Sequence, residues 1–323
     1  MRRMRNIALA VTICMCGMAA ISVGQVSSTS SGFSALGRVP NWNSPEPSST
    51  EIFTLRHRVE EVSVRFAAFD AKGQPVEGLS GADLQLFDDR KAVPNFKSFS
   101  KAQQQPMLIG VVVDLSDSIP REQQSEILDI LEALPSVVDP MTDKAFLVGF
   151  SNQVRLMQPP TADLALIRES LREHPRQVGL TSLYDAVVAT CRDDYEGSAG
   201  QRIMLLFSDG ADNLSMHGID DAVEAALHAG IAIYAISTAN SSTEGKANLQ
   251  ILAQRTGGRA YFIRKKHEVR TAIAELTLAM QDQYVATFRP ATDRAGFHNI
   301  RLESKSGKTI SFVGYRGYYL DPD

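Results

Sequence analysis

Cysteine and tryptophan are scarce in this chain: three and one among 323 residues. Two of the cysteines, Cys14 and Cys16, fall in an apolar N-terminal stretch. Beyond it only Cys191 remains, so an internal disulfide is excluded there. Stability has to come from a buried core, which the length and the 44% apolar composition allow. An excess of basic residues is also lacking. Lys and Arg number 33 against 37 Asp and Glu, a formal charge of -4, and nothing marks a nucleic-acid binder. Glycine-rich phosphate loops are missing: no G-x-G-x-x-G and no G-x-x-x-x-G-K-[ST] follows any expected strand, and there is no G-x-S-x-G. This removes the usual dinucleotide, nucleotide and serine-hydrolase readings. His57, His174, His228, His267 and His298 show no ligand spacing, Arg264-Lys265-Lys266 reads as a solvated loop, and no internal repeat is found.

What is present begins with Arg2, Arg3 and Arg5, followed by an uncharged apolar stretch at 7–23 and the small residues Ser22 and Gly24. This is the plan of a secretory signal peptide over 1–24. The alternative is an uncleaved membrane anchor, since the stretch is at the short edge of spanning length. An exported protein is expected, in the periplasm, at the cell surface or in the medium. Residues 25–50, rich in Ser, Pro, Gly and Asn, read as a disordered spacer containing Trp42.

Over 51–103 the pattern is that of a small β module. Val62, Val64 and Phe66 alternate with Ser63 and Arg65. Ala71 to Pro75 and Asp88-Asp89-Arg90-Lys91 are turns, with strands at 84–87 and 96–99. Over 104–281 strand and helix alternate. Strands are expected at 107–113, 145–150, 154–157 (a short edge strand), 203–207, 231–236 and 260–263. Helices are expected from Pro120 and at 163–172, 182–192, 220–228, 247–255 and 267–280. The continuous apolar run 107–113 suits a strand buried on both faces. Such alternation predicts an α/β domain with a doubly wound, mainly parallel sheet. Over 282–323 β character returns. Neither β piece carries enough core to stand alone. The expectation is one small β-sandwich built from both flanks, with the α/β domain inserted between them and its two ends close together.

Ligands of open parallel sheets bind beyond the carboxyl ends of the strands. Asp114-Leu115-Ser116-Asp117-Ser118 follows the first strand of the α/β domain, and Ser208-Asp209-Gly210 follows the strand at 203–207. Gly179-Leu180-Thr181-Ser182 precedes a helix. Asp114, Ser116, Ser118, Thr181 and Asp209 would supply hard oxygen donors without sulfur or imidazole. That set suits Mg²⁺ first, with Mn²⁺ or Ca²⁺ as alternatives. An Asp-x-Ser-x-Ser by itself also builds turns and helix caps; the distant Thr181 and Asp209 give the pattern its weight. Asp185 and Asp212 lie near the same edge, as does His217, the nearest residue able to act as a general base.

These five residues, with Gly210 after Asp209, resemble the metal-ion-dependent adhesion site of von Willebrand factor type A domains, over about 106–280. The flanks, including Val76 to Asp89 and the Gly-Tyr-Tyr ending, resemble a bacterial group of related proteins found notably in acidobacteria. Asp117 departs from the glycine that many members carry. The resemblance implies that Ser116, Ser118 and Thr181 contact the metal, that Asp114 and Asp209 act often through water, and that a partner's carboxylate completes the coordination. The expected function is metal-dependent protein–protein interaction or adhesion, without catalysis and without nucleotide or nucleic acid. A partner protein would offer an Asp or Glu. The alternatives are a metal-assisted hydrolase using His217 and an envelope scaffold with a structural metal.

Overall fold

The computed structural model describes residues 61–320, apart from 103–104, 118–120, 137, 175–178, 194, 196–199, 238–240, 265, 282, 306, 308 and 315–316. The expected signal peptide, the spacer and Ser118 therefore lie outside the described residues.

The first flank supplies β1 (Val62–Phe69), β2 (Leu84–Asp88), β3 (Lys91–Ala92) and β4 (Ser98–Lys101). The turn after β1 closes where the Asp70 carboxylate accepts the N–H groups of Lys72 and Gln74 at 2.8 and 2.9 Å. Next come β5 (Met107–Asp114), α1 (Arg121–Ala133), β6 (Lys144–Phe150), β7 (Val154–Thr161), α2 (Leu164–Glu173) and α3 (Leu183–Asp193). They are followed by β8 (Gln201–Phe207), α4 (Ile219–His228), β9 (Ile231–Ser237), α5 (Thr243–Thr256), β10 (Ala260–Phe262) and α6 (Lys266–Gln281). The second flank is β11 (Gln283–Phe288), β12 (Gly296–Ser304), β13 (Ser311–Gly314) and β14 (Gly317–Leu320).

The central sheet runs β10-β9-β8-β5-β6-β7. Every neighbouring pair is parallel except β6 with β7. β5 lies in the middle and is buried along its whole length. Alternate side chains serve two cores, as strand periodicity requires. Ile109, Val111 and Val113 pack with Ile127, Ile167 and Leu276 of α1, α2 and α6. Leu108 and Val112 pack with Val187, Val223 and Leu252 of α3, α4 and α5. The expected doubly wound α/β fold is found.

The chain leaves β5 for β6 and β7 on one side, then returns to place β8 on the other. The direction of winding therefore reverses between β5 and β8, and their carboxyl ends open a crevice where loops diverge. That reversal puts Asp114 and Ser208-Asp209 beside one another.

The flanks interleave rather than fold separately. One sheet runs β13-β1-β11-β4, alternating strands of the two flanks, and the other runs β14-β12-β2-β3, joining a pair from each flank through β12 and β2. Val64, Phe66, Leu84, Leu86, Tyr284, Phe288 and Ile300 fill the space between them. Ala67 and Phe69 of β1 point the other way, into the core shared with α6, so this strand is buried on both faces towards its end. Tyr284 of β11 pairs with Lys101 of β4, and the Ala102 N–H donates to the Gln283 carbonyl at 2.7 Å. The α/β portion thus leaves and re-enters the sandwich on adjacent strands.

Several elements differ from expectation. β7 continues to Thr161 through Pro159 and Pro160, which an edge strand with an irregular register tolerates. β3 and β14 are short strands stabilised by pairing rather than by their own pattern. α5 begins four residues before the expected start, at Thr243. Ser242 caps it by accepting the Gly245 N–H at 2.9 Å, and glycine in the first turn had hidden that start.

Candidate metal centre

Asp114 is the last residue of β5 and is 1% exposed. Its Oδ1 accepts the Ser116 N–H at 3.0 Å, a tight turn two residues long. Its Oδ2 accepts the Ser208 hydroxyl at 2.8 Å. Ser116 and Ser208 are fully buried. The Ser208 oxygen in turn accepts the Gly210 N–H at 3.0 Å, and Asp209 Oδ1 accepts the Ala211 N–H at 2.9 Å. Each loop is thereby folded around its own carboxylate.

The loop before α3 is pinned on several sides. Thr181, 2% exposed, donates its N–H to Asn213 Oδ1 at 2.8 Å. Its carbonyl accepts from Asn213 and Leu214. Ser182 donates N–H and hydroxyl to the Ser151 carbonyl, just past β6. Asp212 Oδ1 accepts the Leu183 N–H at 2.8 Å, filling the place of an N-cap from another loop. Asp185 accepts the N–H groups of Met216 and His217.

The three loops are thus joined pairwise. Asp114 and Ser208 join the first to the second, Asn213 and Thr181 the second to the third, and Asp117 with the Gly179 N–H (3.3 Å) the third to the first. The structure brings Asp114, Ser116, Thr181 and Asp209 to one sheet edge; Ser118 lies outside the described residues. Ser208 had been read only as a neighbour of Asp209. Its hydrogen bond to Asp114 spans 94 residues, and no local pattern signals it.

Burial pushes the Asp114 carboxyl up to about 6, and the charge of Asp209 adds to this, against the hydrogen bonds from Ser116 and Ser208. A buried carboxylate with a second one beside it calls for a compensating cation. Carboxylate and hydroxyl oxygens match a hard divalent ion. The residues present therefore fit such an ion, with Asp114, Ser116, Thr181 and Asp209 as its donors.

His217 occupies a different setting. Its Nδ1 lies 2.7 Å from Asp185 Oδ1, so the pair ties the loop after β8 to the first turn of α3. Cys191 is buried in α3, as its helical setting implied. Among the described residues no helix is long and apolar enough to cross a membrane.

The model of the von Willebrand factor type A domain family matches residues 109–275. No curated protein matches the chain. Among solved structures, an aerotolerance-related membrane protein from Bacteroides fragilis shares 16% identity over 54% of this chain and 98% of its own, with a TM-score of 0.42. BatB, a conserved hypothetical protein from Bacteroides thetaiotaomicron, shares 15% over 54% and 98%, also at 0.42. Proximal thread matrix protein 1 of the mussel byssus, in a form with a zinc-occupied adhesion-site motif, shares 14% over 59% of this chain and 50% of its own, at 0.47. None of these likenesses carries residue roles to this chain. The family match spans more than half of its length and takes in most of β5, all of β8 and all five expected donor positions: the chain belongs to the von Willebrand factor type A domain family.

Proposed function

We propose that this protein is a binding module that holds a divalent cation, Mg²⁺ foremost and Mn²⁺ or Ca²⁺ as alternatives, on Asp114, Ser116, Ser118, Thr181 and Asp209. An Asp or Glu of a partner protein completes the coordination. The observation that carries the reading is the pairwise joining of three loops around a buried, acceptor-rich Asp114 at the winding reversal of the sheet. Such a frame orients the donors before the ion arrives, and hydroxyl donors leave coordination positions for an oxygen from outside. The metal supplies charge and the surrounding loops supply specificity.

In this reading residues 104–281 are the metal-binding domain, and 51–103 with 282–323 form the platform beneath it. Export under a leader at 1–24 belongs to the same reading, and N-terminal sequencing of the protein recovered from cells tests it. Catalysis is no part of it; turnover of a phosphoester or peptide that is lost in His217→Ala would favour a metal-assisted hydrolase instead.

The experiment is thermal unfolding in Mg²⁺, Mn²⁺, Ca²⁺ or chelator, beside the Asp114→Ala and Asp209→Ala variants. An ion at a hundred times its dissociation constant stabilises the fold by about 2.7 kcal/mol. A metal-dependent rise in the wild type that both variants lose supports the site. A wild-type midpoint that ignores metal and chelator overturns it. Partner capture that survives chelation would leave the adhesion role without support.

A further inference from the structure

A second cluster of metal-ligating atoms lies in the β-sandwich, in the half of the protein that the adhesion site does not use. Asp88 ends β2, Asp89 opens the turn to β3, and His298 lies on β12. Their ligand atoms all fall within 4.8 Å of one another. His298 is fully buried, Asp88 is 1% exposed, and the Asp89 side chain is about one-third exposed.

The outer atoms of these side chains are occupied. His298 Nε2 lies 2.6 Å from the Arg294 carbonyl oxygen, a contact that requires the Nε2–H to donate. Asp88 Oδ2 accepts the Tyr318 hydroxyl at 2.9 Å and the Ala291 N–H at 2.8 Å. Asp89 Oδ1 accepts the Asn299 N–H at 2.9 Å, while its Oδ2, which also faces the cluster, pairs with Arg294 at 2.8 Å.

The inner atoms face each other. With Nε2 donating to that carbonyl, Nδ1 faces two carboxylates, Asp88 Oδ1 at 3.3 Å and Asp89 Oδ2 at 3.4 Å, and would offer its lone pair to an ion shared with them. Arg294 offsets one of the two carboxylate charges at Asp89 Oδ2; a cation between the three atoms would offset the other. A proton on Nδ1 would draw the oxygens to about 2.7–2.9 Å, the length of a charge-assisted hydrogen bond. Donors held about 2.0–2.2 Å from one ion, at the angles of tetrahedral or octahedral coordination, stand about 2.9–3.5 Å apart. The observed spacings match the second arrangement, and metal titration separates it from a proton shared between the two carboxylates. The outer hydrogen bonds have the pattern of the shell that orients metal ligands, with the far imidazole nitrogen on a carbonyl and the carboxylates held by N–H and O–H donors.

We propose that Asp88 Oδ1, Asp89 Oδ2 and His298 Nδ1 bind a first-row divalent transition ion such as Zn²⁺, separately from the adhesion site. Mixed nitrogen and oxygen donors suit such an ion better than Mg²⁺ or Ca²⁺. Its role is structural. It ties the end of β2 to β12, strands that lie more than 200 residues apart in sequence, where the two flanks of the sandwich meet.

The test is calorimetric titration of Zn²⁺ into the full chain carrying Asp114→Ala, which disables the adhesion site. The same titration is run on the doubles Asp114→Ala/Asp89→Asn and Asp114→Ala/His298→Gln. Co²⁺ serves as an absorbing probe of nitrogen–oxygen coordination. The expected result is one equivalent of Zn²⁺ bound by the Asp114→Ala chain, weakened more than tenfold in both doubles, with the Co²⁺ bands lost in parallel. If the buried His298→Gln double fails to fold, Asp89→Asn still decides. Asp89 is partly exposed, and its Oδ1 can still accept from Asn299. Absence of Zn²⁺ uptake by Asp114→Ala, or uptake unchanged by Asp89→Asn, overturns the proposal. Because Asp114 is removed throughout, this outcome is independent of whether Mg²⁺ stabilises the wild type.

Discussion

Gly210 and Gly245 meet backbone to backbone. A Cβ placed on Gly210 would stand 2.1 Å from the Gly245 carbonyl oxygen, and one placed on Gly245 would stand 2.3 Å from that of Asp209. This contact, with the Asn248 side-chain amide donating to the Gly210 carbonyl at 3.0 Å, seats the Asp209 loop on the first turn of α5.

Gly210 also has φ +82°, where a side chain is strained whatever the space. Gly210→Ala is therefore expected to cost about 2–4 kcal/mol, combining backbone strain with overpacking. Gly245→Ala meets only the overpacking and should cost about 1–3 kcal/mol. Urea midpoints at unchanged slope measure both. Two variants as stable as the wild type would remove the contact as a determinant of the loop.

Tyr195 bridges the central sheet: its hydroxyl accepts the Gly110 N–H at 2.8 Å and donates to the Ile203 carbonyl. Tyr195→Phe leaves both buried groups without it and is expected to cost about 1–3 kcal/mol. Gly110→Ala should be worse, since its Cβ would fall 2.4 Å from that oxygen. Urea unfolding of the two variants checks the order.

Asp212→Ala removes the acceptor for the first N–H of α3, at a cost of about 0.5–2 kcal/mol. It also frees the loop that carries Thr181, so Mg²⁺ should raise the unfolding midpoint less although every proposed donor remains. Asp212→Asn, which keeps an acceptor oxygen, should restore most of the rise. Equal metal-induced shifts in wild type and Asp212→Ala would separate the cap from the site.

Burial alone would push the Asp185 carboxyl up. The N–H groups of His217 and Met216, and the His217 ring, outweigh burial and hold it below the ordinary 3.8. A folded-state pKa below the unfolded one contributes stability that is fully present above the unfolded value. It is lost as pH falls through the folded value. The stability gap between wild type and Asp185→Asn should therefore close in acid, below the ordinary carboxylate pKa. Urea unfolding at stepped pH tests this, and hydrogen exchange at the Met216 and His217 amides localises it. A gap that stays constant into acid would contradict it.

Much of the α/β half was legible from local pattern. The unbroken apolar run 107–113 became the fully buried β5 because a central strand has no polar face to present. Asp114, Ser116, Thr181 and Asp209 could be picked out as candidate donors because strand ends and helix starts are where a parallel sheet exposes its loops. Less local features escaped. Asp88-Asp89 reads as a turn and His298 as an isolated histidine, and only the pairing of Ile300 with Asp88 sets them together.

The sequence by itself determined the order of strands and helices and the chemistry of the donor set, since both follow from side-chain periodicity and type. Only the tertiary structure decided which of the candidate residues meet. It placed β5 beside β8, so that the Ser208 hydroxyl reaches Asp114, and it interleaved the two flanks into shared sheets. The physical reason is that strand pairing and the closing of distant loops are non-local. Their free energy comes from surfaces that no short window of the chain contains.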